Sequence, residues 1–262
     1  MSASPLPKVN ALILAGSRPG GDPFAQTHGV PVKSLIPVNG KPMLAHVTEV
    51  LLAHPAIKSI TVAAQDIAIL RAHPELTNTD LLWAESDATI AQTLEMLLTN
   101  GLISYPLLIT TADNVLLNSA MIDEFLTCAS GSDISAAMVE KSVLLASYPD
   151  AKRTWLKLRG GQYSGANLFW FGSPKARQLL RYWAEIEQDR KKGWKIFTVF
   201  GPWTMILALC RMVSIHVLAQ RVSKKLGLIF KVAEMPQAEA CIDVDKEADL
   251  VLAEHILADR LA

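Results

Sequence analysis

Short apolar runs alternate with amphipathic stretches through the first half of the chain, and that alternation restricts the fold more than any other feature. Runs at 9–14, 59–64, 81–84, 107–111 and 134–139 have the length of strands. Apolar residues dominate them, the pattern of strands covered on both faces. Between them lie helical patterns at 42–54, 89–98 and 119–128. In the first of these, Met43, Leu44, Val47, Val50 and Leu51 share one face, and Pro42 sits at the start, where its missing N–H is not needed. Strands alternating with helices predict an α/β fold, a three-layer α/β/α domain with a mostly parallel central sheet.

The rhythm changes after Lys141. Runs at 155–158 and 166–171 flank "RGGQYSG", which predicts an antiparallel hairpin about a glycine turn. Helical patterns fill about 174–227, a strand is expected near 228–232, and a last helix begins near Lys246. Without a repeat, a low-complexity tract or a Pro/Ser-rich linker, the expectation is one domain, 1–262, with a β-hairpin and a helical elaboration in its C-terminal half.

Composition narrows the function classes. Cys128, Cys210, Cys241 and the histidines show neither zinc spacing nor a disulfide set. The N-terminus lacks a secretory pattern, and the apolar run 196–210 is too short to span a bilayer, so a cytoplasmic location is expected. The net charge of zero conceals a division. Residues 150–231 hold 16 Lys and Arg against 4 Asp and Glu, a net of +12, which leaves −12 for the remainder. One part of the chain expects anions and the other can hold cations. A nucleic-acid recognition motif does not accompany the basic part, so nucleic acid is not an expected partner. From Lys175 to Lys225 the basic residues interleave with Trp183, Trp194, Phe197, Phe200 and Trp203. A buried helix, a second subunit in a homodimer, and peripheral contact with anionic membrane are the three readings of that segment.

Ligands of open α/β sheets bind at the carboxyl ends of the strands, so the turn after the first strand matters. In "LILAGSRPGG", Leu12 to Gly21, the residues Gly16, Gly20 and Gly21 let backbone N–H groups face an anion. Arg18 adds a charged fork suited to phosphate oxygens. "LLITTADNVLL" brings Asp113 out at the end of another apolar strand. "CIDVDKEADL" sets Asp243 and Asp245 on one side of an extended segment, with Asp245 also placed as a helix N-cap.

After the glycine turn comes "GVPVKSLIPVNGKPML", with Lys33 close behind the glycines and a helix opening at "NGKPML". Together these segments resemble the nucleotidyltransferases of the glycosyltransferase-A-like fold, especially their molybdopterin guanylyltransferase-like (MobA-like) branch. The resemblance implies that Leu14, Ala15, Gly16, Ser17, Gly20 and Gly21 wrap an NTP. Arg18 would meet its β and γ phosphates, and Lys33 the charge at the α-phosphorus. It implies that Asp113 and Asp245 hold Mg²⁺, with Asp243 the alternative to Asp245. Thr89 and Gln92, in "ESDATIAQT", fall where the family reads the base, and are equally placed as helix-surface residues. Gly165 and Asn167, in "YSGANLFW", fall where it flanks the acceptor, and a β-bulge is the plainer account. Two positions depart from the pattern. Val32 stands before Lys33 where the family has Pro, and Asn114 follows Asp113 where relatives often have Pro or a second acid. The implied activity is Mg²⁺-dependent transfer of an NMP from an NTP to a phosphorylated small-molecule acceptor, with release of pyrophosphate. The alternatives are a glycosyltransferase of the same fold that uses a nucleotide sugar, and a degenerate nucleotide-binding regulatory protein.

Overall fold

The computed structural model describes residues 8–16, 21–188 and 210–260. The strands are β1 (Val9–Leu14), β2 (Pro37–Val38), β3 (Lys41–Pro42), β4 (Ile57–Ala64), β5 (Leu81–Glu85), β6 (Leu107–Thr111), β7 (Ile134–Glu140), β8 (Leu156–Leu158), β9 (Gly161–Phe171) and β10 (Phe230–Glu234). The helices are α1 (Pro23–Thr27), α2 (Met43–Ala53), α3 (Ile67–Arg71), α4 (Ile90–Thr99), α5 (Ser119–Ala129), α6 (Lys141–Ser147), α7 (Arg177–Gln188), α8 (Ile215–Leu226) and α9 (Glu247–Asp259).

One sheet runs in the order β10-β7-β9-β6-β1-β4-β5, with β8 paired to β9, while β2 and β3 form a separate ribbon. β6, β1, β4 and β5 are mutually parallel, and β10 is parallel to β7. Among the described strands of this sheet, β9 alone runs against the rest: it lies antiparallel between β6 and β7 and pairs antiparallel with β8. The sheet is therefore mixed and mostly parallel, as the strand–helix alternation predicts.

The period of two along each strand divides the core between the two faces. Ala11 and Ile13 of β1 pack with Met43, Leu44, Val47 and Leu51 of α2, Ile122 and Phe125 of α5, and Leu250 and Ile256 of α9. Leu12, between them, packs on the opposite side with Leu94 and Leu97 of α4, Leu180 of α7, and Val222 and Leu226 of α8. Both faces are covered, which is why the strands read as nearly unbroken apolar runs.

Two expectations need correction. The hairpin turn is only Arg159 and Gly160, because Leu158 already pairs with Gly161. "QYSG" belongs to β9: its polar residues disguise a strand whose Tyr163 and Ser164 are buried. The late strand also begins two residues further on than expected. Gly227, left-handed at φ +64°, ends α8, and Leu228 is still buried beneath it before β10 starts. The run 196–209, with Trp194, Phe197, Phe200 and Trp203, lies outside the described residues, so the readings of a buried helix, a subunit contact or a membrane contact fall there. Among the described residues, no helix is long and apolar enough to cross a membrane.

The ladder continues past the ends of the central strands and so fixes where the connecting turns begin. Ala15 donates to the Ala63 carbonyl and Ala112 to the Leu14 carbonyl, at 2.9 and 3.0 Å. Gly16 and Asp113 therefore leave the sheet side by side. Directly behind Asp113, Asn114 is only 2% exposed. Its amide donates to Thr110 Oγ1 (3.1 Å) and to the Ala166 carbonyl (3.4 Å), joining β6 to β9. Asn114 is thus a structural bridge, and its position cannot take a second acid without burying a charge. We expect Asn114→Ala to lower unfolding stability by about 1–3 kcal/mol, because it strips a buried amide from its partners. Urea denaturation checks this, and an unchanged midpoint would contradict the bridging role.

Candidate active site

Asp113 follows β6 by two residues, and Asp243 and Asp245 lie on the extended segment that leads into α9. Val244, fully buried, donates its N–H to the Asp113 carbonyl at 3.1 Å. With Val244 turned into the core, its two neighbours project the other way, and a carboxylate oxygen from each of Asp113, Asp243 and Asp245 comes within 4.8 Å of the others. Both Asp243 and Asp245, the two alternatives, thus stand in one cluster with Asp113. Nor is Asp245 the N-cap of α9: Lys246 holds that place.

Lys33 is the counter-charge. It sits on a single 3-10 turn, Lys33–Leu35, and Nζ donates to Asp113 Oδ2 at 2.6 Å and to Asp245 Oδ1 at 2.5 Å. Val32 before it is buried and apolar, so the departure from Pro does not displace the lysine. The other Asp113 oxygen accepts from Thr111 Oγ1 at 2.5 Å. Asp243 accepts from Asn167 Nδ2 at 3.2 Å, and Arg153 Nη1 lies 3.8 Å from its Oδ1. Burial, and then the charges of Asp113 and Asp245, raise the Asp243 carboxyl above the ordinary range, with Arg153 pulling the other way. For Lys33, burial alone would lower the ammonium's pKa, but Asp113 and Asp245 outweigh it and leave it raised. The carboxylates of Asp113, Asp243, Asp245 and Asp249 outnumber the cations Lys33 and Arg153 and leave an excess of negative charge. Hard oxygen donors at this spacing, already holding a cationic group between two of them, fit a Mg²⁺ ion completed by phosphate oxygens and water.

On one side of the cluster, Leu14, Ala15, Gly16, Lys33, Ser34, Met43, Ala112 and Asp113 line a small cavity of about 40 Å³. A Cβ on Gly16 would stand 3.2 Å from the Gln65 side chain, and Gly21 has φ +88°, where glycine alone is at ease. Ser34 Oγ lies buried in this cavity wall, with no hydrogen-bond partner among the described residues. Ser17, Arg18 and Gly20 lie outside the described residues.

On the other side, a cleft of about 740 Å³ runs from Asp243 and Asp245 past Asn167 and Gly165 to Trp155, Tyr163, Lys152 and Lys246. Asn167 occupies a bulge where β9 slips against β7, in the left-handed region at φ +48°. The bulge is therefore present, and it turns the Asn167 amide toward Asp243. At Gly165 a Cβ would meet nothing within 4 Å, so the glycine leaves open space in the cleft wall. Thr89 and Gln92 lie apart. Thr89 caps α4 by accepting from the Gln92 N–H (3.2 Å), and its hydroxyl donates to Gln92 Oε1 (3.0 Å). Neither lines the cleft or the cavity. Sequence reasoning missed Arg153, whose isolated position in an irregular segment carries no periodic signal.

Comparison with known proteins agrees with the fold. The model of the MobA-like NTP transferase domain matches residues 11–198. A hypothetical transferase from Thermus thermophilus has a similar structure, with a TM-score of 0.77 and 25% identity over 93% of this chain and 99% of its own. CMP:2-keto-3-deoxy-manno-octonic acid synthetase complexed with CTP aligns with a TM-score of 0.60 at 13% identity, over 97% of this chain and 99% of that one. The 2-C-methyl-D-erythritol 4-phosphate cytidylyltransferase of Thermus thermophilus gives 0.53 at 17% identity, over 96% and 99%. No curated protein matches by sequence. The family match stops short of Asp243 and Asp245, so their place beside Asp113 rests on the structure.

If Lys33 is what neutralises the cluster, Lys33→Met should melt below the unaltered protein in EDTA and recover more on adding Mg²⁺. Asp245 is 60% exposed, which discounts the pair to about 1 kcal/mol, or about 2–4 °C. Identical melting of the two proteins in EDTA would contradict the assignment.

Proposed function

The chain belongs to the MobA-like NTP transferase family, and on that footing we propose that it is a Mg²⁺-dependent nucleotidyltransferase acting on an NTP and a phosphorylated small-molecule acceptor. The observation that carries the reading is the position of the Asp113–Asp243–Asp245 cluster, with Lys33 across it. It stands between the turn after β1 and an open cleft of about 740 Å³. A triphosphate on the turn side and an acceptor in the cleft would meet at the carboxylates.

In the proposed reaction an acceptor phosphate oxygen forms a bond to the α-phosphorus. The bond from that phosphorus to the α–β bridging oxygen breaks, and its electron pair leaves with pyrophosphate. The acceptor phosphate is already a nucleophile at neutral pH, so no base need remove a proton. Catalysis is then positioning and charge neutralisation. Asp113, Asp243 and Asp245 would hold Mg²⁺, which supplies Lewis-acid stabilisation of phosphate charge. Lys33, fixed by two carboxylates, is placed to offset charge at the α-phosphate. Arg18 supplies the fork for the β and γ phosphates. Gly165 leaves room for the acceptor, and Asn167 orients Asp243 beside it. The plainer reading of a degenerate binding protein loses support, because Asn114 and Val32 do structural work and leave all three acids in place.

CTP is the first nucleotide to test, since the fold's solved relatives include a synthetase holding CTP and a cytidylyltransferase. A thermal-shift screen of four NTPs with and without Mg²⁺, followed by a pyrophosphate-release assay, tests the whole reading. Metal-dependent stabilisation by at least one NTP is expected, and none by any would overturn it. Arg18→Ala should weaken NTP binding by about 1.5–3 kcal/mol, the worth of a charge-assisted contact, with the fold intact. Asp113→Asn and Asp245→Asn should each remain folded and lose Mg²⁺-dependent turnover, and full activity in either variant would remove that residue from the metal set.

A further inference from the structure

Arg153 comes from an irregular stretch between α6 and β8, yet its side chain is only 8% exposed. Nη1 donates to Asp249 Oδ1 at 2.8 Å, and Asp249 is itself 7% exposed. Nη2 reaches the Asp243 backbone carbonyl at 3.5 Å, and Nη1 lies 3.8 Å from the Asp243 carboxylate. The second Asp249 oxygen accepts the Asp245 N–H at 3.3 Å. Asp249 thus reaches back from the first turn of α9 to the residue before its N-cap, much as a capping-box acid does. One buried ion pair therefore grips the backbone on both sides of Val244, at the two residues whose carboxylates complete the cluster with Asp113.

A buried ion pair is weak support for stability, since apolar residues of similar volume usually serve as well or better. The guanidinium is not even fully satisfied, because Nε is buried without a partner among the described residues. What the pair does supply is position. The same stretch contributes Lys152, Thr154 and Trp155 to the cleft wall, so Arg153 joins that wall to the metal-side carboxylates.

We propose that Arg153 is a positioning residue. Through Asp249 it holds Asp243 and Asp245 in the arrangement that binds the divalent cation, and it couples that arrangement to the acceptor-side wall. The proposal rests on the nucleotidyltransferase reading of the cluster. Partners that orient metal-binding groups typically change metal affinity by about 10–100-fold when removed.

The test uses Mn²⁺ as the probe, with binding followed by EPR and unfolding by calorimetry, on the purified protein with and without CTP. Arg153→Met with Asp249→Leu replaces the ion pair by apolar volume. It should melt at or above the temperature of the unaltered chain, yet bind Mn²⁺ about 10–100-fold more weakly. Arg153→Lys keeps the charge and loses the planar fork, so it should remain folded and also bind Mn²⁺ more weakly. It decides the matter if the double variant fails to fold. Unaltered Mn²⁺ affinity in either folded variant overturns the positioning role alone. If the unaltered chain binds no Mn²⁺, or binds it equally well with Asp113→Asn, the cluster is not a metal site, and both readings fall together.

Discussion

Like charges held at contact distance must be neutralised, and this requirement organises the site. Two carboxylates about 4 Å apart repel by about 4 kcal/mol at the effective dielectric of a protein surface. One carboxylate oxygen from each of Asp113, Asp243 and Asp245 comes within 4.8 Å of the others, so all three pairs repel, those of the exposed Asp245 more weakly. Lys33 relieves those of Asp113 and Asp245, while Asn167 and Arg153 attend to Asp243. Each of these partners comes from a different part of the fold. The 3-10 turn at Lys33–Leu35, the bulge in β9, the irregular stretch before β8 and the entry to α9 are all tied to the same few oxygen atoms.

Much of this was legible in the sequence where the signal is local. β6 falls at the predicted residues, and α5 nearly so, because strand and helix periods are properties of short windows. Asp113 and Asp245 were legible as acids at strand ends, and Lys33 through the family resemblance of the segment behind the glycine turn. The pairing of β9 between β6 and β7 was not, because antiparallel pairing across long separations leaves no periodic mark and "QYS" reads as a turn. Arg153 failed for a related reason: a buried arginine and a surface arginine look alike in one sequence. The Thr89–Gln92 pair carries a local structural signal of its own. Its T-x-x-Q spacing is a capping-box signature, and the hydrogen bonds within that pair account for both side chains.

Two asparagines stand where the electrostatics exclude another acid. Asn114 sits next to Asp113 but faces inward, where a charge would be buried beside β9. Asn167 faces the cluster, and there a neutral donor relieves Asp243 while a carboxylate would add a fourth repulsion. Asn167 takes a left-handed backbone to do so, a conformation that Asn tolerates better than most residues.

The Lys33–Asp245 contact spans 212 residues. A chain emerging from the ribosome can pair β1, β4, β5 and β6 early, since all four lie within residues 9–111. At that stage it carries a lysine and one acid of the cluster. The remaining two carboxylates follow only after β10 has emerged. The acid cluster is therefore incomplete for most of the chain's synthesis, and a fragment cut at residue 198, where the family model's match ends, would lose two of the three clustered acids. The matched segment and the acid cluster end at different places along the chain.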